Sequence, residues 1–176
     1  PADILAAFET VQKAVAESQI SVKLSFAAEY YLDEWLWAQL AQQQKLLSFG
    51  KNYVLFETAF GNAPPFLESA IRQMQLLGYR PVLAHPERYQ YFWEDEKRLF
   101  QLKDQGLLLQ VNLNSLRGYY SLPAEKLALK LLEKGLIDFV GTDCHRMAHL
   151  DYLPKLAEKP RILDKLAKIK LLNDTI

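Results

Sequence analysis

Five short apolar runs in this 176-residue chain each end on a side chain able to bind a metal or a phosphate, at intervals of 27 to 31 residues. SVKLSFAA runs into Glu29, YVLF into Glu57, VLA into His85, LLLQV into Asn112, and FVGT into Asp143 with His145 just beyond. A strand, a loop and a crossover helix together take about 30 residues. The interval therefore predicts consecutive βα units of a parallel barrel or open sheet. In such folds the chemistry collects at the carboxyl ends of the strands, so the five runs predict one shared mouth.

The segments between the runs carry helical periodicity. Residues 63–78 open with Pro64 and Pro65, close at Gly78, and place Phe66, Ala70, Ile71, Met74 and Leu77 on one stripe. A second helix runs from Asp95 and Glu96 to Gly106, and a third from Pro123 to Gly135. Asp3–Glu17 is predicted helical, with Ile4, Phe8, Val11 and Val15 on one face, and so is the tail from Arg161 to Leu172. The lysines of that tail read as a solvated face. VLF, PVLAH and IDFVGTD are nearly continuous apolar stretches, as strands buried on both faces require.

Length fits a single domain over residues 1–176. Lys plus Arg equals Asp plus Glu at 21 each, which argues against a nucleic-acid or membrane partner held by bulk charge. The single Cys144 cannot form an internal disulfide, which suits a reducing, cytoplasmic setting. No apolar stretch approaches the ~20 residues of a membrane span.

The sharpest local motif is GTDCH. On an extended strand end, Asp143 and His145 would point to one side and offer oxygen and nitrogen to one metal or to adjacent metals. Alone, the same pattern also describes a loop Asp capping a helix beside an incidental His. In LAHPERY, His85 ends an apolar run and Arg88 offers a planar fork matched to phosphate oxygens. The alternative there is a satisfied core histidine and a surface pair between Arg88 and Glu87. Tyr89, Tyr91, Phe92 and Trp93 read better as core than as a substrate platform. Glu29 and Glu57 are strand-end carboxylates, whose burial would demand a partner or a metal. Asn112 and Asn114 could orient a ligand or cap a loop, and His149 falls at the start of a helix. No glycine-rich phosphate loop, nucleophile elbow or dinucleotide fingerprint is present. Cys144 lacks the loop-and-arginine spacing of a cysteine phosphatase.

Taken in order, AAEYYLD at 27–33, LFET at 55–58, LAHPERY at 83–89, QVNLNSL at 110–116 and GTDCH at 141–145 resemble the PHP (polymerase and histidinol phosphatase) superfamily. Within it they look like the bacterial manganese-dependent tyrosine phosphatases that act on the tyrosine kinases of capsule and exopolysaccharide synthesis. The resemblance implies a distorted (β/α)7 TIM-like barrel with up to three metals, most readily Mn2+, with Fe, Co or Zn as alternatives. Matched by position, Glu29 would bridge two metals, Glu57 and His85 would hold the second, Asp143 the first and His145 the third. Arg88 would grip the substrate phosphate, and His149 could supply a proton to the leaving phenolate. The implied partner is a phosphotyrosine-containing protein such as a kinase tail, and homo-oligomerisation is compatible with the pattern. Two rivals stand beside this reading: a small-molecule phosphatase of the histidinol phosphate type, and a non-catalytic regulatory barrel.

The chain departs from that pattern at its start. The family's first strand carries an H-x-H pair, whereas the only histidines here are His85, His145 and His149. Seven units of about 30 residues also need roughly 210. The expectation is an N-terminally truncated domain missing its first strand or strands, short of ligands for two metals. Such a fragment should be inactive and, with open strand edges, prone to self-association.

Overall fold

The computed structural model describes residues 2–176. Helix α1 (Ala2–Glu17) leads through an irregular stretch to strand β1 (Glu29–Tyr31) and helix α2 (Glu34–Ala41). Strand β2 (Tyr53–Glu57), α3 (Leu67–Leu76) and β3 (Arg80–Ala84) follow, then two short helices, α4 (Gln90–Glu94) and α5 (Glu96–Asp104). Strand β4 (Leu108–Asn112), α6 (Leu122–Glu133), β5 (Phe139–Gly141), α7 (Met147–Tyr152) and α8 (Pro160–Lys168) complete the order. The five strands form one parallel sheet in sequential order. Among the described residues it does not close, because β1 and β5 are its two ends.

Strand periodicity divides the side chains between two layers. Val54, Phe56, Leu83, Leu109 and Val111 face the helices and join Leu36, Leu40, Leu67, Ile71, Met74, Leu99, Leu102, Leu127 and Leu131 in the main core. Each such fully buried Leu or Phe contributes about 1.5–3 kcal/mol. The opposite side chains, Tyr53, Val82 and Phe139 with Leu55 and Leu108, form a smaller cluster on the inner face. Residues of all five strands line one cavity of about 200 Å3 there, so the sheet is curled around it.

The helix signals act locally as expected. Asp33 caps α2 by accepting from the Leu36 N–H, Asp95 caps α5 by accepting from Arg98, and Ser121 caps α6 by accepting from Ala124. Gly106 and Gly135 follow α5 and α6 with positive φ, the conformation that ends a helix most cheaply with glycine.

Three expectations need correction. SVKLSFAA is not a strand: residues 18–28 are irregular and mostly exposed, and Glu29 opens β1 instead of closing it. That run has no neighbouring strand to pair with, and an apolar run without a ladder does not stay extended. The tail helix is α8, which stops at Lys168, short of Leu172. Beyond it the chain turns back along β5. The Asn173 side chain accepts from the Val140 N–H and donates to the Val140 carbonyl, both at 3.0 Å. One amide thus stands in for a strand at that edge. Third, Asp143 is not on an extended strand end, since β5 stops at Gly141 and Asp143 has φ 48°. No described helix is long and apolar enough to cross a membrane.

Candidate metal and phosphate site

At the carboxyl end of β3 the chain turns sharply. His85 takes a left-handed conformation (φ 36°, ψ 53°) before the tight turn Pro86–Arg88, a costly backbone for a residue other than glycine. The turn aims the imidazole between two carboxylates. His85 Nε2 lies 3.5 Å from Glu29 Oε1 and 3.4 Å from Glu57 Oε2. One ligand atom from each residue falls within 4.8 Å of the others. Burial pushes the His85 pKa down, but the hydrogen bonds to Glu29 and Glu57 outweigh it and raise it to about 9. Its Nδ1 is buried without a partner.

This group fits a divalent metal. Two carboxylates and an imidazole from three successive strands are an oxygen-and-nitrogen set suited to Mn, Fe or Zn. Among the described residues, neither carboxylate group has a hydrogen-bond partner other than His85. The arrangement holds a buried histidine, in strained left-handed backbone, between two acids.

Asp143 lies across the same mouth. Its Oδ2 accepts from Arg88 Nη1 at 2.8 Å and from Asn112 Nδ2 at 3.0 Å. His145 Nδ1 is 3.1 Å from its Oδ1, with the imidazole largely exposed. Glu29, Glu57, His85, Arg88, Asp143, His145 and His149 all line one cavity of about 300 Å3, together with Phe60, Tyr120 and Arg146. Asp143 and His145 stand outside the tight three-residue group.

His149 is buried, and both of its ring nitrogens are engaged. Arg146 Nε can only donate, so Nε2 accepts from it at 3.1 Å. Nδ1 lies 2.9 Å from the Asp143 carbonyl oxygen and 3.2 Å from the His145 backbone nitrogen. His149 thereby braces the left-handed turn that carries Asp143. Asn114 Nδ2 in turn donates to the His149 carbonyl.

The surface pair imagined between Arg88 and Glu87 does not exist. Glu87 is wholly buried, and its Oε1 accepts from the Asn112 N–H at 3.0 Å and the Ser115 hydroxyl at 2.6 Å. Burial pushes its carboxyl pKa up. Asn112 and Asn114 are likewise buried. Tyr89 and Phe92 are core, as read from the sequence.

Two residues at the mouth were missed. Phe60 and Tyr120 sandwich the Arg88 guanidinium, with Cζ 4.7 Å and 4.3 Å from the two ring centres. Both follow strand ends, in the loops after β2 and β4. An aromatic placed in such a loop was the available signal.

The family described as capsular polysaccharide synthesis, CpsB/CapC, matches residues 1–173. The tyrosine-protein phosphatase YwqE of Bacillus subtilis (strain 168) is 28% identical over 186 aligned positions, covering 100% of this chain and 73% of that protein. The tyrosine-protein phosphatase CpsB of Streptococcus pneumoniae is 25% identical over 156 positions, covering 80% of this chain and 64% of that one. A solved chain also superposes with TM-score 0.77 and 30% identity, over 90% of this chain and 66% of its own length. It comes from crystal structures of YwqE from Bacillus subtilis and CpsB from Streptococcus pneumoniae, described as unique metal-dependent tyrosine phosphatases.

Proposed function

The chain belongs to the CpsB/CapC family of capsular polysaccharide synthesis, and from that premise we propose a metal-dependent hydrolase of phosphotyrosine in a protein substrate. The observation that carries the reading is the Glu29–Glu57–His85 group facing a cavity that Arg88 also lines. Glu29, Glu57 and His85 would hold a divalent ion, Mn2+ ahead of Fe, Co or Zn, with Asp143 and His145 as ligands for further ions. Bound there, the ion supplies Lewis acidity toward water and the phosphoryl oxygens. Arg88 supplies the complementary charge: its guanidinium, now on Asp143, would turn its fork toward the phosphate. Tyr120 and Phe60 keep that fork in plane at the mouth. His149 fixes the backbone of Asp143, and any role as proton source requires Arg146 to release its Nε2.

The curled parallel sheet with strands in chain order supports a second inference, that these residues are part of a distorted (β/α)7 barrel of the PHP type. The H-x-H pair of that pattern has no counterpart in this sequence, so the proposal gives the described residues one complete metal position. A cytoplasmic location and a kinase-like phosphotyrosine partner belong to the same proposal.

The test is hydrolysis of a phosphotyrosine peptide and of histidinol phosphate with added Mn2+, with metal content measured alongside. Preference for the peptide by the metal-loaded protein is expected. A metal-loaded protein that hydrolyses neither substrate would overturn the reading.

A further inference from the structure

The Phe60–Arg88–Tyr120 sandwich is a partition. The metal-facing cavity lies against it, and so does a second cavity of about 270 Å3 lined by the same three residues with Gln90, Trp93, Ser121 and Ala124. The two spaces are adjacent rooms with Arg88 in the shared wall.

The chemistry of the second room differs from that of the first. The first holds three carboxylates, two histidines and Arg146 besides His85 and Arg88, whereas the second has no acidic residue in its lining and no cation except Arg88. Arg88 is already committed: its Nη1 points to Asp143 and its plane lies between two rings. What the second room offers is aromatic surface from Phe60, Trp93 and Tyr120, with an amide and a hydroxyl from Gln90 and Ser121. Its floor is held in place. Trp93 Nε1 donates to the Glu87 carbonyl at 2.8 Å, and the Gln90 N–H donates to the Phe60 carbonyl at 2.8 Å. Phe60 keeps 40% of its surface exposed.

We propose that this second cavity is a subsite for an aromatic side chain of the substrate, adjacent in sequence to the phosphotyrosine. The inference rests on the phosphotyrosine reading of the first cavity. With the phosphate beside Arg88, the phenol ring leaves the mouth past Phe60 and Tyr120, and the neighbouring residue of the peptide reaches the far side of the same wall. An aromatic ring there meets three aromatic partners in edge or offset contact, which adds affinity beyond area alone. A carboxylate gains nothing, because the one cation is engaged.

The experiment measures binding, so that it does not depend on turnover. Peptides carry the non-hydrolysable phosphonodifluoromethyl analogue of phosphotyrosine, flanked by Ala, Phe, Tyr or Asp, and are titrated onto the Mn2+-loaded chain. A Phe- or Tyr-flanked peptide is expected to bind about tenfold tighter than the Ala-flanked one, a modest gain for an open pocket. Trp93→Ala should reduce that ratio toward unity. Because Trp93 also packs inward, Gln90→Trp provides a second variant that fills the space from an exposed position and should erase the same preference. Equal binding of all flanks, or a preference unchanged in Gln90→Trp, overturns the subsite while leaving the phosphotyrosine reading intact. If no phosphonate peptide binds, both fall together.

Discussion

Arg88 and Asp143 hold each other across the mouth, with Nη1 2.8 Å from Oδ2. An anion-binding group and a carboxylate suited to a metal are thus paired. A phosphate entering the cavity must draw the guanidinium away, and a cation near Asp143 would make that easier.

From this pairing, Arg88→Ala is expected to lower kcat/KM for a phosphotyrosine peptide about ten- to a hundredfold, the worth of one or two charge-assisted hydrogen bonds. Metal content should be unchanged. Arg88→Lys should recover only part, since an ammonium cannot lie between two rings and present a fork. Peptide kinetics with metal analysis decide it, and parental turnover in the alanine variant would make Arg88 a structural residue.

The metal-free protein should lose stability as pH rises. His85 has a folded pKa raised to about 9 against an ordinary value of 6.5. Its protonated form therefore stabilises the fold fully below pH 6.5, and that contribution disappears as pH passes through about 9. Metal binding displaces the same proton, so affinity should climb over this window and binding should release a proton. Melting curves of chelator-treated protein, and titration calorimetry in two buffers of different ionisation enthalpy, test the two halves separately.

Glu87→Gln should leave stability nearly unchanged at neutral pH. The amide oxygen still accepts from the Asn112 N–H and the Ser115 hydroxyl, and the removed cost of a buried carboxylate is offset by an NH2 at the place of Oε2, which is buried without a partner. Glu87→Ala leaves both donors unsatisfied and should cost about 1–3 kcal/mol for each stranded group. Because burial raises the Glu87 pKa, its favourable contribution is present in acid and lost as pH rises. Denaturant midpoints at acid and alkaline pH provide the check: the parental protein should lose ground to Glu87→Gln on going alkaline.

Asn173→Ala should open the β5 edge. Losing two half-buried hydrogen bonds costs about 1–2 kcal/mol, or a melting temperature lower by about 3–6 °C. The uncovered Val140 backbone then offers a pairing edge. A rise in solution mass with concentration is expected of the variant over the parent.

Four of the five strands were legible, since the runs toward Glu57, His85, Asn112 and Asp143 are short, apolar and paired on at least one side, although β5 stops at Gly141, short of Asp143. The run into Glu29 looked the same on paper but lies outside the sheet until Glu29 itself. What differs is the absence of a partner strand, which no local pattern encodes. The same holds inside the site. Residue type and spacing brought Glu29, Glu57, His85, Arg88, Asp143, His145 and His149 around one cavity. Several of the contacts fixing them, Arg88 to Asp143, Asn112 to Asp143 and His85 to Glu29, join residues far apart in the chain. Glu87 is the clearest case: a charged residue beside Arg88 reads as surface, and only the fold shows Asn112 and Ser115 closing over it.

His85 and Asp143 both occupy left-handed backbone, at φ 36° and 48°, where asparagine or glycine sits with less strain. A library of this chain screened only for folded yield should therefore drift toward Asn or Gly at these two positions. The most readily stabilised descendants would be the ones that lose the site. Screening for metal uptake in the same rounds would hold both residues against that drift.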